Sequence, residues 1–229
     1  MHVVVIAGQA RVGKTTLANL IAEEAFNLGM KPVLLSFAEP IKAQARELGY
    51  TKEDKPDKYR EFCQELGNRM REENPDHWVE IYEQRLKDII DNEAQEVMDG
   101  RKYWEYCVIT DDCRYMNELE MCSNYNCTSI FLSFGTRDIP DKNGEWRQHP
   151  SEFLANRLAS GKQFTKLVTD YVTNDKGEDH LKNKTKEMAP VWCGLESREF
   201  SREEGLLESV ETLLDLLFDE IEDDEDEET

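Results

Sequence analysis

Basic residues are scarce in this sequence. The chain has 28 Lys and Arg against 49 Asp and Glu among its 229 residues, which gives a formal net charge of −21 at pH 7. Such a charge repels nucleic acid, so binding to DNA would require a local basic patch, whereas a free nucleotide is compatible with it. Acidic residues also crowd the C-terminal end, and we expect residues 222–229 to form a disordered tail.

The sequence also lacks the patterns of secreted, zinc-binding and membrane proteins. Its six cysteines form no C-x-x-C pair, and no histidine stands at a spacing typical of a zinc site. No signal peptide and no apolar run of membrane-spanning length is present. We therefore expect reduced thiols in a cytoplasmic protein that has no membrane partner.

A phosphate-binding loop follows the first apolar segment. Residues 8–15, GQARVGKT, match the pattern G-x-x-x-x-G-K-[ST] between the apolar run 3–7 and a helical pattern. Backbone N–H groups of such a loop and the N-terminus of the next helix bind phosphate oxygens. The pattern predicts ATP and Mg²⁺ as cofactors, with Lys14 at the β- and γ-phosphates and Thr15 at the metal. The residues expected to bind the nucleotide are Gly8, Arg11, Val12, Gly13, Lys14, Thr15 and Thr16.

Apolar segments alternate with helical patterns along the rest of the chain. This alternation predicts one α/β domain over residues 1–221, with three layers, a mostly parallel sheet and the P-loop NTPase fold. The predicted strands are at about 2–7, 32–37, 106–110, 128–133 and 168–173. Three helices are expected between about 39 and 92, and others at about 117–126 and 203–221. Residues 176–190 are rich in charge, and this composition predicts an irregular surface segment.

Acidic residues end the third predicted strand. Asp111 and Asp112 follow an apolar strand, where a carboxylate can reach Mg²⁺ from beside the P-loop, and Asp111 is the expected metal ligand together with Thr15. Arg114 lies two or three residues further on, where its guanidinium is able to grip a phosphate.

Several segments, in their order and spacing, resemble one known family. They are the P-loop, FAEPIK at 37–42, REFCQELG at 60–67, NPDHW at 74–78, ITDDCRYMNE at 109–118, HPSE at 149–152 and DYVTN at 170–174. Together they resemble the bacteriophage deoxynucleoside monophosphate kinases, which belong to the P-loop nucleotide kinase superfamily. Asn68, where that family has Thr, and the charged segment 176–187 depart from the family pattern.

The resemblance implies roles for further residues. It implies that Lys42, Arg60 and Arg114 hold the phosphate of an acceptor deoxynucleoside monophosphate. Gln64 and Glu118 would bond its base or sugar, and Trp78 would line its pocket. Residues 39–92 would form the helical acceptor-binding region and residues 135–157 a lid, with Arg137, Arg147 or Arg157 at the transition state. The residues expected to act in catalysis are Lys14, Asp112, Arg114 and Arg137.

Two other functions remain open at this point. Related phage enzymes phosphorylate the hydroxyl of 5-hydroxymethyluracil in DNA, which would make Asp111 or Asp112 a proton acceptor. The lysines available for a basic DNA-binding strip are Lys162, Lys166, Lys182, Lys184 and Lys186. A P-loop switch or assembly protein is the third alternative, although the Asn-Lys-x-Asp signature of GTPases is absent. The sequence leaves open whether the protein is a monomer or a homodimer.

Overall fold

The computed structural model describes residues 1–51, 53–101, 104–134 and 167–196. Strands and helices alternate along this part of the chain. The strands are β1 (His2–Gly8), β2 (Lys31–Leu34), β3 (Tyr106–Cys113), β4 (Cys127–Ser133) and β5 (Asp170–Thr173). The helices are α1 (Lys14–Asn27), α2 (Glu39–Glu47), α3 (Pro56–Glu73), α4 (His77–Met98), α5 (Met116–Cys122) and α6 (Glu178–Trp192).

The five strands form one sheet in the order β2-β3-β1-β4-β5, and every neighbouring pair is parallel. Strand β1 lies at its centre, and all seven of its residues are buried. Such near-continuous apolar runs are typical of parallel strands that are covered on both faces. The carboxyl ends of β1 and β3 are adjacent in this order, and ligands of open α/β sheets bind at such an edge.

Each face of the sheet has its own apolar core, because successive β1 side chains point to opposite sides. Val3 and Val5 belong to the core that α4 and α5 cover. Val4 and Ile6 belong to the core that α1 and α6 cover. The described part of the chain is therefore a three-layer α/β sandwich with helices on both faces, and the predicted P-loop fold class is confirmed.

The three helices predicted between about 39 and 92 are present as α2, α3 and α4, although α4 continues to Met98. Pro40 and Pro56 each stand in the first turn of their helix, where a missing backbone N–H costs nothing. Ile41, Leu66 and Trp78, one from each helix, pack into a small core of their own. This core makes the three helices one unit beside the sheet.

The prediction for residues 176–190 is wrong. This segment forms α6, which packs against α1 and buries Leu181, Thr185, Ala189 and Trp192. The buried positions recur every three or four residues, as on one face of a helix. Only two of the four are strongly apolar, so the charged residues between them hide the pattern in the sequence.

Other predicted features lie outside the described residues. They are the lid at 135–157 with Arg137, Arg147 and Arg157, lysines Lys162 and Lys166, the helix at 203–221 and the acidic tail. Among the helices of the described part, none combines the length and apolarity that a membrane span requires.

Candidate active site

The loop between β1 and α1 has the backbone conformation of a phosphate-binding loop. Three of its residues have positive φ, namely Gly8 at 148°, Arg11 at 66° and Gly13 at 106°. Gly13 is the N-cap of α1, so the helix begins at Lys14 directly after the loop. The positive end of α1 therefore faces the space that the loop encloses, where an anion is favoured.

Two of these glycines are required by their neighbours as well as by their conformation. A Cβ atom on Gly8 would lie 2.2 Å from the carbonyl oxygen of Leu132 in the adjacent β4. A Cβ atom on Gly13 would lie 2.8 Å from Nδ2 of Asn174. Any side chain at Gly8 thus collides with the sheet itself, whereas one at Gly13 collides with a side chain that supports the loop.

Lys14 and Asn174 each donate hydrogen bonds to carbonyl oxygens of the loop. The Lys14 ammonium donates to the carbonyl oxygens of Gly8 at 2.8 Å and Gln9 at 2.7 Å. Asn174, which follows β5, donates from Nδ2 to the carbonyl oxygen of Val12 at 2.7 Å. Sequence reasoning gave Asn174 no role, because its contact spans 162 residues and only its place after a strand hinted at it.

Thr15 and Asp111 meet at the carboxyl ends of β1 and β3. The Thr15 hydroxyl donates to Oδ2 of Asp111 at 2.5 Å. Two hard oxygen donors in contact fit a Mg²⁺ ion, which binds to few protein groups and completes its shell with phosphate oxygens and water. No group of three or more His, Cys, Asp or Glu that could hold a metal occurs within residues 1–51, 53–101, 104–134 and 167–196. The pair predicted to bind the metal is therefore close enough to do so.

Asp112 faces the turn between β2 and α2 instead. Its Oδ2 accepts hydrogen bonds from the Ser36 hydroxyl at 2.5 Å and the Ala38 backbone N–H at 3.1 Å, and its Oδ1 accepts from the Phe37 N–H at 3.0 Å. The Lys42 ammonium lies 3.6 Å from Oδ2 and donates to Ser36 Oγ at 3.1 Å. Asp112 thus fixes the turn from β2 into α2 and holds Lys42, which makes it a positioning residue in this arrangement.

A second cation lies on the same side, at the end of α3. One nitrogen of Arg71 donates to Oε1 of Glu118 at 3.2 Å, another to the Gly67 carbonyl at 3.2 Å, and the guanidinium carbon lies 3.9 Å from the Tyr115 ring centroid. Sequence reasoning missed Arg71, since its acidic partner Glu118 lies 47 residues further along the chain. Its position one residue beyond Met70, near the end of a helix rich in charges, gave no signal.

Glu118 is occupied by these structural contacts. Its Oε2 accepts the backbone N–H groups of Arg114 at 2.7 Å and Tyr115 at 3.1 Å, which closes a capping box at the start of α5. Burial of the side chain, which is 2% exposed, raises its pKa from 4.5 to about 7, against the opposing effects of the Arg114 N–H and Arg71. The predicted contact with a base or sugar stays a prediction that this geometry does not favour.

Arg60 and Gln64 share one face of α3 with Arg71. Their spacing of four and seven residues puts them on a stripe that also contains Gly67. Arg60 is exposed and Gln64 is half-buried. A Cβ atom on Gly67 would lie 3.3 Å from Arg71 Nη1 and 3.5 Å from Ile41 Cδ1, so Gly67 lies between Arg71 and α2. The stripe supports a shared role, and the individual roles of Arg60 and Gln64 stay predictions.

Trp78 lies beneath this region and does not line an open pocket. It is 2% exposed, packs with Ile41 and Leu66, and donates from Nε1 to the Gly67 carbonyl at 3.2 Å. It therefore holds α4 against α3.

Arg114 comes directly after β3, and its side chain is exposed on the surface. Arg85 of α4 donates to the Ser36 carbonyl at 3.3 Å and adds a cation that the sequence did not suggest.

Comparison with known proteins identifies no family for this chain. No protein-family model matches the chain, and no curated protein matches it. Among solved structures, shikimate kinase from Acinetobacter baumannii in complex with shikimate is similar at 14% identity and a TM-score of 0.35, over 83% of this chain and 91% of that one. So distant a similarity says nothing about the substrate or the residues that bind it.

Proposed function

We propose that this protein transfers the γ-phosphoryl group of ATP to a deoxynucleoside 5′-monophosphate. The observation that carries the proposal is the contact between Thr15 and Asp111 at 2.5 Å, next to the contact between Asp112 and Lys42 at 3.6 Å. Two neighbouring residues of β3 thus reach in two directions, one to the P-loop and the other to a cation of the helical region. The resemblance to phage kinases suggests supply of nucleotides for phage DNA synthesis as the setting.

The donor side consists of the P-loop, Lys14, Thr15 and Asp111. Backbone N–H groups and the start of α1 suit the phosphates of ATP, and Mg²⁺ held by Thr15 and Asp111 would neutralise charge on the β- and γ-phosphates. Lys14 is anchored on the carbonyl oxygens of the loop that would surround those phosphates. It needs only a change of side-chain rotamer to leave them for a phosphate oxygen.

The acceptor side carries cations around the ends of β2 and β3. Lys42, Arg85 and Arg71 are each tied to this region through Ser36, Asp112 or Glu118. In a protein with a net charge of −21, cations gathered at one place suit an anionic substrate. A nucleoside monophosphate supplies a dianionic phosphate for them and a base for the polar stripe of α3.

The hydrogen bonds that Asp112 accepts favour a substrate whose acceptor oxygen is already an anion. Transfer to a phosphate oxygen needs no general base, because that oxygen is ionised at neutral pH. Transfer to a hydroxyl is helped by a carboxylate that takes the proton. Both Asp112 oxygens already accept hydrogen bonds from the β2–α2 turn, so a substrate hydroxyl would have to use the remaining acceptor position of Oδ1.

The surface of α6 gives little support to a DNA substrate. Lys182 and Lys186 are exposed there, but Glu178, Asp179 and Glu187 share the helix with them. The described half of the suggested basic strip therefore has acidic neighbours that would weaken its attraction for phosphates. Phosphorylation of a base in DNA remains an outcome that the following experiment distinguishes.

The test is ADP release from ATP and Mg²⁺ with each deoxynucleoside monophosphate, with hydroxymethyl-dUMP and with duplex DNA that contains hydroxymethyluracil. Fast release with a free monophosphate supports the proposal. Release with the modified DNA alone would replace it by a DNA kinase. Binding of ATP without turnover on any acceptor would favour a nucleotide-dependent switch or assembly protein.

Two variants of α2 test the acceptor side. Lys42→Ala should raise the KM of the monophosphate by about tenfold and change the KM of ATP much less, since one charge-assisted contact is worth on the order of 1.4 kcal/mol. Arg46→Ala is the matched control, because Arg46 is a cation on the same helix that is paired with Glu39 and is 51% exposed. Equal changes in the two KM values with Lys42→Ala would remove Lys42 from the acceptor site.

Lys14→Ala tests the donor side. It should lower turnover by more than about a hundredfold and leave the circular dichroism spectrum unchanged, because Leu17, Ala18 and Ile21 pack α1 on the sheet without Lys14. Near-normal turnover in this variant would contradict the P-loop assignment.

A further inference from the structure

Two buried thiols lie side by side on the face of the sheet that α1 and α6 cover. The sulfur atoms of Cys107 and Cys193 are 3.7 Å apart, although the residues are 86 positions apart in the chain. Cys107 is the second residue of β3, and Cys193 is the C-cap of α6. Their exposed fractions are 0% and 1%, and all six cysteines of the protein are thiols. The proposed kinase reaction uses neither of the two.

The separation is short enough for a bond after a small movement. A disulfide requires sulfur atoms about 2.05 Å apart, so the two must approach by roughly 1.7 Å. Cys107 is fixed within the sheet, between residues paired to β1 and β2. Cys193 stands at the end of a helix, where a shift of the last turn suffices.

The surroundings of Cys193 give a small oxidant a way in. The three residues that follow it, Gly194, Leu195 and Glu196, are all exposed. Helix ends open at low cost in free energy compared with central strands, so fraying of this turn exposes Cys193 while β3 stays folded. Gly194, with φ of 75°, packs its backbone against the His2 ring, and this contact favours the closed form of the turn.

The two thiols are also unequal in chemistry. The Cys107 S–H donates to Cys193, and this lowers the pKa of Cys193 and raises that of Cys107. Cys193 is therefore the sulfur that attacks an oxidant, since the thiolate is the nucleophile. Cys107 is then in place to attack the oxidised sulfur.

We propose that Cys107 and Cys193 form a reversible disulfide when hydrogen peroxide oxidises the protein. The Cys193 thiolate attacks one peroxide oxygen, the O–O bond breaks, and with one proton a sulfenic acid and water form. Cys107 sulfur then attacks the Cys193 sulfur, the S–O bond breaks, and the hydroxyl leaves as water with the Cys107 proton. Both sulfurs are oxidised and the peroxide is reduced to two waters. An external dithiol reduces the disulfide to the two thiols by thiol–disulfide exchange and is itself oxidised to a disulfide.

The disulfide ties the end of α6 to β3. Because α6 packs against α1, the helix that begins at the P-loop, the bond restrains the layer that supports the nucleotide site. Closure of a loop of this length limits the unfolded chain, so the oxidised protein should unfold at a higher temperature than the reduced one.

The test uses hydrogen peroxide on folded protein, followed by alkylation in denaturant and mass spectrometry of peptides. Cys63→Ser/Cys127→Ser is the starting variant, because it removes the two partly exposed cysteines. Its four remaining thiols should fall to two, with a mass loss of about 2 Da and one linked peptide pair that contains residues 107 and 193. Dithiothreitol should restore all of them.

Matched single variants decide the assignment. Adding Cys193→Ser or Cys107→Ser should abolish the linked peptide and the rise in unfolding temperature, whereas Cys113→Ser, another buried thiol, should preserve both. Peptide mapping of the starting variant needs no further substitution, so a poorly folded variant does not weaken the test. Recovery of four unlinked thiols, a different linked pair, or overoxidation of Cys193 without a bond to Cys107 would overturn the proposal.

Discussion

The stability of the folded chain should fall between mildly acidic and neutral pH because of Glu118. Its pKa rises from 4.5 to about 7 in the folded state, so the folded protein binds this proton more tightly than the unfolded one does. The resulting stabilisation is complete below the unfolded pKa and is lost as the pH rises through the folded pKa. The difference between the two values corresponds to about 3 kcal/mol, at about 1.4 kcal/mol for each pH unit.

Glu118→Gln removes this titration and keeps an acceptor for the N–H groups of Arg114 and Tyr115. Urea unfolding of both proteins, from about pH 5 to about pH 8, gives the free energy of unfolding at each pH. The wild type minus Glu118→Gln difference should decrease by about 2 to 3 kcal/mol over this interval. Other titrating groups are common to the two proteins and cancel in the difference.

Glu120→Gln is the control, because Glu120 lies on the same helix and is exposed. Its curve should run parallel to that of the wild type. The wild type minus Glu118→Gln difference in unfolding free energy could instead stay constant or increase with pH. A constant difference would show that the Arg71 ion pair and the two N–H donors balance burial, and an increase would show that they outweigh it. The account of the Glu118 environment given above would then be wrong.

Two further predictions concern the P-loop. Asn174→Ala should raise the KM of ATP about fivefold in steady-state kinetics, because it removes from the loop a hydrogen bond worth about 1 kcal/mol. The control is Asn117→Ala, which removes a hydrogen bond to the Pro75 carbonyl and should leave the KM of ATP unchanged. An unchanged KM for Asn174→Ala would refute a supporting role of Asn174. Gly8→Ala should destabilise the protein by at least about 2 kcal/mol more than Gly29→Ala in urea unfolding. Both glycines have positive φ, but only at Gly8 would the added Cβ atom lie 2.2 Å from a carbonyl oxygen, that of Leu132 in β4. Equal losses would show that the β4 backbone moves to accommodate the methyl group.

The features predicted correctly from the sequence are those with local signals. The P-loop is recognised from eight consecutive residues, and β1, β3 and β4 from continuous apolar runs, so their order along the chain implied the parallel sheet. The contact between Thr15 and Asp111 is consistent with their predicted pairing, because the ends of neighbouring parallel strands meet at one edge, and their role at a metal stays a prediction. Helix α6 was missed because Thr185 occupies a buried position between Lys and Glu residues.

The roles that the sequence did not reveal depend on contacts between distant segments. Trp78 and Glu118 are residue types that bind substrates when exposed, and only the packing of α3 on α4 and α5 shows that they are buried. Arg71 and Asn174 are ordinary polar residues until their partners, far away in the chain, are known. Burial and long-range partners are properties of the assembled fold, whereas periodicity and motifs are properties of a short segment.

Three carboxylates at the end of β3 and the start of α5 make three different contacts. Asp111 contacts Thr15 of the donor side, Asp112 holds Lys42, and Glu118 holds Arg71. Since Lys42 and Arg71 are each held by a carboxylate from one short segment, α2 and α3 are aligned with the P-loop through β3 itself. Cations that are already fixed lose less side-chain entropy when a phosphate binds. Before the phosphate binds, the partner carboxylates offset the positive charge of these cations. An acidic protein can in this way keep a local site for an anion, and movement of α2 or α3 relative to β3 would change the proposed metal and acceptor sites together.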